Sequence, residues 1–167
     1  SLHDALPISG PGVGGHCIAV DPWFIVSSVP EEAKIIKMAR DVNDGKPAWV
    51  IKQVKAALEG KESSTVAALG IAFKNDIDDL RESPSLNIVK TLGEENPDLD
   101  IRVVEPNVAE LPDSLSSVPN LKKQELETAV HDADVVLLLV NHKEFLQMDT
   151  ALLEGKSVID TKGIWRS

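Results

Sequence analysis

Apolar positions change their rhythm about a third of the way along the chain. Ile35, Ile36, Ala39 and Val42 recur at helical spacing, and so do Val50, Ile51, Val54, Ala57 and Leu58. Pro30 followed by Glu31 and Glu32 marks the start of the first helix, since a first turn needs no proline N–H and its dipole favours acids. Asn43-Asp-Gly45 punctuates the pattern, Pro47 predicts the start of a second helix, and Gly60 its end. Upstream, residues 22–29 form a short apolar stretch leaving a glycine-rich loop. Nothing in this first third alternates as a strand would.

After Lys61-Glu-Ser-Ser64 the apolar residues gather into continuous runs. Residues 65–73 read as a buried strand, and 101–104, 134–140 and 157–160 as three further strands. Helices are expected between them. One starts at Ser83-Pro84, a capping serine with proline in the first turn, and shows Leu86, Ile88, Val89 and Leu92 as its apolar face. Another is expected over 121–130. Continuous apolar strands alternating with helices specify an α/β fold, a Rossmann-like parallel sheet with helices on both faces. Residues 62–167 form this domain, and a helical and loop segment precedes it. Ligands of such sheets bind beyond the carboxyl ends of the strands. That rule singles out residues 74–81, 105–107, 141–143 and 161–163.

Composition narrows the function classes. A chain of 167 residues, 43% hydrophobic, suits one domain or one domain plus a piece of another. A formal charge of −10 argues against nucleic acid and acidic membrane surfaces as partners, so an anionic ligand needs a local basic cluster. One cysteine excludes an intramolecular disulfide and suits a reducing cytoplasm. No apolar run is long enough to span a bilayer, and no signal-peptide pattern, repeat or low-complexity tract occurs.

The densest chemistry lies in Gly10-Pro-Gly-Val-Gly-Gly-His16-Cys17-Ile-Ala-Val-Asp21-Pro22-Trp23. A lone cysteine is either a buried structural residue or a nucleophile. A loop made almost wholly of backbone favours the nucleophile, because glycines let a substrate approach. Gly10, Gly12 and Gly15 also match G-x-G-x-x-G, but a dinucleotide fingerprint needs a strand, a helix and an acid closing the next strand. Cys17 and Asp21-Pro22 follow here instead, so the fingerprint is rejected. Lys74 and Arg81 flank an acidic run, Asp76, Asp78 and Asp79, which is either a solvated loop or an anion site at a strand end. Arg81 suits a bidentate phosphate contact and Lys74 a point charge. His142 either serves a ligand or caps a strand. Trp23, Trp49 and Trp165 read as packing residues and His131 as an exposed helix-end residue. No metal-ligand pattern is found.

The loop through Phe24, Ala39-Arg-Asp-Val-Asn43, residues 70–84, Val103-Val-Glu-Pro-Asn107 and Asp160-Thr-Lys-Gly-Ile-Trp165 together resemble the UDP-glucose/GDP-mannose dehydrogenase family, in family order from Gly10 onward. The last two stretches tilt the likeness toward its bacterial members acting on UDP-N-acetyl-D-mannosamine. By this resemblance, residues 10–61 hold the active-site loop and the tail of a central dimerisation region, and 62–167 the C-terminal UDP-sugar-binding domain. The NAD-binding domain, with a lysine and an asparagine of the active site, falls outside the sequence, so this piece alone is expected to be inactive. Residues 1–9 do not resemble the family and read as a non-native start, and His3 is given no role.

The resemblance implies a homodimeric enzyme that oxidises the primary alcohol of a UDP-sugar to a carboxylate with two NAD, for bacterial surface polysaccharide. Cys17 would form a thiohemiacetal and then a thioester. Asp21 would position water or share in proton transfer, or else only cap a loop. Gly12, Gly14 and Gly15 would bring backbone N–H groups to the substrate, Lys74 would contact the nucleotide sugar, and Arg81 would reach NAD or a phosphate. His16 is given no proton-transfer role. UDP-glucose, UDP-N-acetylglucosamine and GDP-mannose remain alternative substrates, and a non-catalytic nucleotide-sugar module is the alternative of another class. A cysteine hydrolase lacks a His/Asn partner set here.

Overall fold

The computed structural model describes residues 10–60 and 64–165, and for His16 the backbone alone. The expectations for residues 1–9, for His3 and for the direction of the His16 side chain lie outside these described residues.

Two helices come first. Helix α1 spans His16–Ser28 and α2 spans Lys34–Leu58, a single helix of 25 residues. Both depart from expectation. The apolar stretch at 22–29 is the second half of α1, and Cys17 sits in that helix's first turn. Pro30 opens no helix; it stands in the turn between α1 and α2, where the Val29 carbonyl accepts from Glu32 N (3.2 Å) and Ala33 N (2.9 Å). Asn43-Asp-Gly45 and Pro47 read as breakers, yet both lie inside α2. The helix continues because Val50 and Val54, one turn apart, are anchored in the sheet's core. Proline removes one N–H and bends a helix, and packing on both sides of it outweighs that loss.

The sheet is five parallel strands in the order β3-β2-β1-β4-β5. They are β1 (Thr65–Leu69), β2 (Asp100–Val104), β3 (Leu121–Lys123), β4 (Val135–Leu138) and β5 (Ser157–Asp160). The helices between them are α3 (Pro84–Glu95), α4 (Asp113–Ser116), α5 (Leu126–Asp132) and α6 (Lys143–Leu146). Strand β3 corrects the helix expected over 121–130, since α5 begins only at Leu126. Ile101 pairs with Leu121 and Val103 with Lys123, so these three residues form a short edge strand whose two lysines suit an edge. Three residues are too few to show a period.

Side chains alternate across the sheet into two cores. Val66, Ala68, Ile101, Val103, Val135 and Leu137 pack with α2 and α3. Ala67, Leu69, Val104, Val136 and Leu138 pack with Ala129 and Val130 of α5 and Phe145 of α6. The chain is therefore the α/β, Rossmann-like fold with helices on both faces that the pattern specified. The Ser83-Pro84 start holds in detail, with Ser83 Oγ accepting from Leu86 N (3.3 Å) and donating to the Ile71 carbonyl (2.7 Å).

Candidate functional site

The glycine loop is docked at both ends against the carboxyl edge of the sheet. Gly10 N donates to the Thr161 carbonyl just past β5 (2.9 Å), and Gly15 N to the Glu82 carbonyl just before α3 (3.4 Å). Glycine at position 14 is a packing necessity. A Cβ there would collide with the Glu82 carbonyl oxygen and lie 2.5 Å from Pro84 Cδ. Gly15 has φ +91 and lies against the Phe73 ring, and Gly12 faces Pro84 and the Asn43 carbonyl. These three glycines thus first serve close approach between the loop and the β1–α3 connection.

Cys17 follows directly, exposed in the first turn of α1, so it is no buried structural cysteine. Asp21 lies four residues on, on the same helical face, also exposed. Its place inside α1 removes the loop-capping alternative. Beyond α1 the chain enters α2, not a strand, so these glycines do not belong to a βαβ dinucleotide unit.

Two side chains of α2, present in the Ala39–Asn43 stretch but given no role there by the sequence alone, grip this segment. The Asn43 amide pairs with both backbone groups of Val13: Oδ1 accepts from Val13 N (2.7 Å) and Nδ2 donates to the Val13 carbonyl (3.1 Å). Arg40, one turn earlier, donates from Nη1 to the Ile18 carbonyl (3.3 Å) and from Nη2 to Asp44 Oδ1 (2.6 Å). The signal for Arg40 lay in Pro22. An α-helix bonds each N–H to the carbonyl four residues back. Pro22 has no N–H to return to Ile18, and the guanidinium takes the open carbonyl. Pro47 likewise returns nothing to the Asn43 carbonyl, the one that faces Gly12. A cavity of about 190 Å³ lies between these parts, lined by Val13, Gly14, Arg40, Asn43, Glu82 and Asn87 among others.

The other strand ends converge through a buried carboxylate. Glu105, after β2, accepts from Ile71 N (2.8 Å), Ala72 N (3.1 Å) and Asn107 N (3.1 Å). His142, after β4, is fully buried. Its Nδ1 receives Asp76 N (2.9 Å) and lies 3.1 Å from Asn107 Nδ2, which places its proton on Nε2, facing Glu105 Oε2 at 3.1 Å. Burial by itself would raise the Glu105 carboxyl, but the hydrogen bonds from His142 and the Ile71 backbone outweigh it and hold it below the ordinary carboxylate value. Of the two roles open to His142, the structure supports the tie between strand ends.

That tie holds the loop carrying Lys74 and Arg81. Asp76 has φ 58, a strained value for a non-glycine, and is fixed by His142 and by Lys143 N donating to its carboxylate (3.0 Å). Lys74 is exposed. Arg81 is 73% exposed and its guanidinium forks onto Asp79 (Nη2–Oδ2 2.6 Å). A groove of about 560 Å³ runs beside it, lined by Asp78, Arg81, Ser83, Asn87, Pro112 and Ser114 among others. At the end of β5, Asp160 accepts from Lys162 N, Gly163 N and Trp165 N (2.7–2.9 Å). Burial, then repulsion from Lys46, holds the Lys162 ammonium below the ordinary lysine value, beside Gly10. Glu105 and Lys162 fall in the strand-end segments that the sequence singles out, but no local pattern signals that one is buried and the other half-buried, so sequence alone gives neither a role.

Trp49 and Trp165 pack against the two cores as expected. Trp23 does not; it is 37% exposed, because α1 packs chiefly on α2. His131 is exposed at the end of α5, paired with Asp132. Among the described residues no His/Cys/Asp/Glu group could hold a metal, and no helix is long and apolar enough to cross a membrane. A dinucleotide finds no cradle of its own among these residues. The fit is limited to Arg81 at the groove.

Residues 67–167 match the UDP binding domain of the UDP-glucose/GDP-mannose dehydrogenase family. The chain is 54% identical over 141 residues to a UDP-N-acetyl-D-mannosamine dehydrogenase of Campylobacter jejuni, covering 84% of this chain and 34% of that protein. It is 49% identical over 156 residues to an NDP-N-acetyl-D-galactosaminuronic acid dehydrogenase of Ralstonia solanacearum, covering 93% of this chain and 36% of the relative. The solved UDP-N-acetyl-mannosamine dehydrogenase of S. aureus matches with TM-score 0.73 and 37% identity, over 95% of this chain and 36% of that one. The chain thus spans little more than a third of the relatives it matches. Sequence and fold agree that it belongs to the UDP-glucose/GDP-mannose dehydrogenase family and carries that family's UDP binding domain.

Proposed function

We propose that this chain supplies the nucleophile and the nucleotide-sugar face of a UDP-N-acetyl-D-mannosamine 6-dehydrogenase. Residues 10–61 contribute the active-site loop and the tail of a dimerisation region, and 62–167 the UDP-sugar-binding domain. The observation that carries the reading is the exposed Cys17 in the first turn of α1, on a glycine loop docked at the carboxyl edge of the sheet. The remainder of the longer enzyme would bind NAD, which supplies hydride acceptance at both oxidation steps.

In this reading the Cys17 thiolate adds to the sugar aldehyde and makes a C–S bond, the carbonyl oxygen taking a proton. Loss of a hydride from that carbon, together with the proton on its oxygen, leaves a thioester. Water, oriented by Asp21, breaks the C–S bond, releases the carboxylate and returns the thiolate. Lys74 contacts the nucleotide sugar, Gly12, Gly14 and Gly15 allow the substrate close to the backbone, and Arg81 reaches NAD or a phosphate once released from Asp79. An exposed free thiol suits the reducing cytoplasm. Homodimerisation finds support in the helical arm formed by α1 and α2. Ile35 (85% exposed), Met38 (63%) and Val42 (56%) form an apolar stripe on α2 that nothing in the described chain covers. The Ralstonia relative favours a second reading with the same chemistry on an N-acetylgalactosamine-type sugar.

The test is Cys17→Ala in the full-length enzyme. Net oxidation to the acid is expected to fall below detection while calorimetric binding of UDP-N-acetyl-D-mannosamine stays within a few-fold. Normal acid production by that variant would sink the reading.

A further inference from the structure

We infer that Arg40 and Asn43 are positioning residues for Cys17, holding its backbone from one face of α2. The inference rests on the reading of Cys17 as the nucleophile. Arg40 and Asn43 lie three residues apart and so share a helical face. Asn43 fixes Val13, four residues before the thiol, through both of that residue's backbone groups. Arg40 fixes Ile18, the residue just after the thiol, through the carbonyl that Pro22 leaves open. Cys17 is thus bracketed, and Asp44 holds the guanidinium in place from the next turn (2.6 Å).

The pattern is more than helix-to-loop packing would require. The first turn of α1, with Cys17 and Ile18 both exposed, has few packing contacts of its own to define where its thiol points. Attack on a carbonyl tolerates little misplacement, and an error of about 1 Å can cost about a hundredfold in rate. A side-chain amide matched to both polar groups of one residue sets the loop's orientation as well as its distance, because an amide donates from one end and accepts at the other. The arrangement also links thiol and sheet. Val50 and Val54 of the same helix are buried against the strands, so α2 refers Cys17 to the domain that holds the nucleotide.

The experiment uses the full-length enzyme with UDP-N-acetyl-D-mannosamine and NAD. Asn43→Ala is expected to lower kcat about ten- to a hundredfold with KM for the sugar within about threefold. Asn43→Asp gives a signature that a purely structural role would not produce. A neutral carboxylic acid donates and accepts as the amide does, whereas the carboxylate keeps one oxygen on Val13 N and sets the other against the Val13 carbonyl and against Asp44 Oδ1, to which Asn43 Nδ2 also donates (3.2 Å). The ratio of its kcat to that of the parent should therefore rise several-fold as pH falls from 8 to 5.5. Arg40, Asp44 and Glu82, which line the same cavity, are common to both proteins and cancel in that ratio. A kcat for Asn43→Ala within twofold of the parent overturns the inference, and so does a flat ratio for Asn43→Asp. Should Asn43→Ala fail to fold, the Asn43→Asp ratio decides alone. Cys17→Ser, run alongside, separates the two claims. If it still makes acid, the reading of Cys17 fails. If it is dead while the Asn43 variants are normal, only the positioning role fails.

Discussion

The sheet domain and the helical arm carry equally clear apolar periodicity and meet opposite fates. In the sheet, Leu137 and Ile101 on one face and Leu69 and Val136 on the other are fully buried by helices of the same chain. In the arm, Val50 and Val54 are buried, yet about two to four turns earlier Val42, Met38 and Ile35 stand more than half exposed. Ile18 (60%) and Phe24 (66%) of α1 do the same. A period reveals that a face will be covered, without saying by what. The sheet's core is completed within the chain, by helices that include the end of α2, while the rest of the arm presents a surface that nothing in the described chain covers.

The largest effect that should break this comparison, if it is wrong, is on stability. Leu137→Ala empties a fully buried site in the interior strand β4 and is expected to cost about 2–5 kcal/mol in urea unfolding. Ile35→Ser removes an equally apolar side chain from the arm and should change stability by less than about 0.5 kcal/mol. Its effect should appear instead in self-association, as a weaker dimer by sedimentation. Equal destabilisation by the two changes would mean that the arm is no less self-contained than the sheet.

A smaller effect separates the regions by pH. Glu105 gathers Ile71, Ala72, Asn107 and His142 inside the sheet domain, with no counterpart in the arm. Its carboxyl is held below its ordinary value by those hydrogen bonds against the opposing effect of burial. A carboxyl depressed on folding adds stability above its unfolded value, and that stability is lost as pH falls through the folded value. Glu105→Gln should therefore cost about 1–3 kcal/mol at pH 7. The difference from the parent should shrink as the pH drops from about 5 toward 3. A constant difference over that range would show that shape, not charge, is what the site needs.

The same contrast explains what the sequence made legible. Strands β2 and β5 and the Ser83-Pro84 start announced themselves because continuous apolar runs and caps are local signals. Strand β3 did not, since three edge residues with two lysines carry no period. The continuity of α2 was hidden because Asn43-Asp-Gly45 and Pro47 have breaker chemistry locally and are overruled by Val50 and Val54 at long range. In the site, Cys17 and Asp21 stand in a motif and could be read. Asn43 and Glu105 act on residues about thirty positions away, a pairing that no window of sequence contains.

Pro22 is the exception, a local residue with a long-range consequence, and it allows the smallest and sharpest test. If Arg40 stands in for the N–H that Pro22 lacks, the two positions must be coupled. Pro22→Ala gives α1 its own donor for the Ile18 carbonyl. Arg40→Met keeps most of the stem that is only 11% exposed but removes the guanidinium. In the parent this leaves the carbonyl without a side-chain donor. In the Pro22→Ala background the helix already supplies one, so the same change should cost less. The loss of Asp44's partner occurs in both backgrounds and cancels, as does the helix propensity gained at position 22. Urea unfolding of the four proteins should then give a coupling of about 0.5–1 kcal/mol. Additivity within about 0.3 kcal/mol would leave Arg40 as an ion-pair partner of Asp44 and nothing more, and would reduce the grip on the Cys17 segment to Asn43 alone.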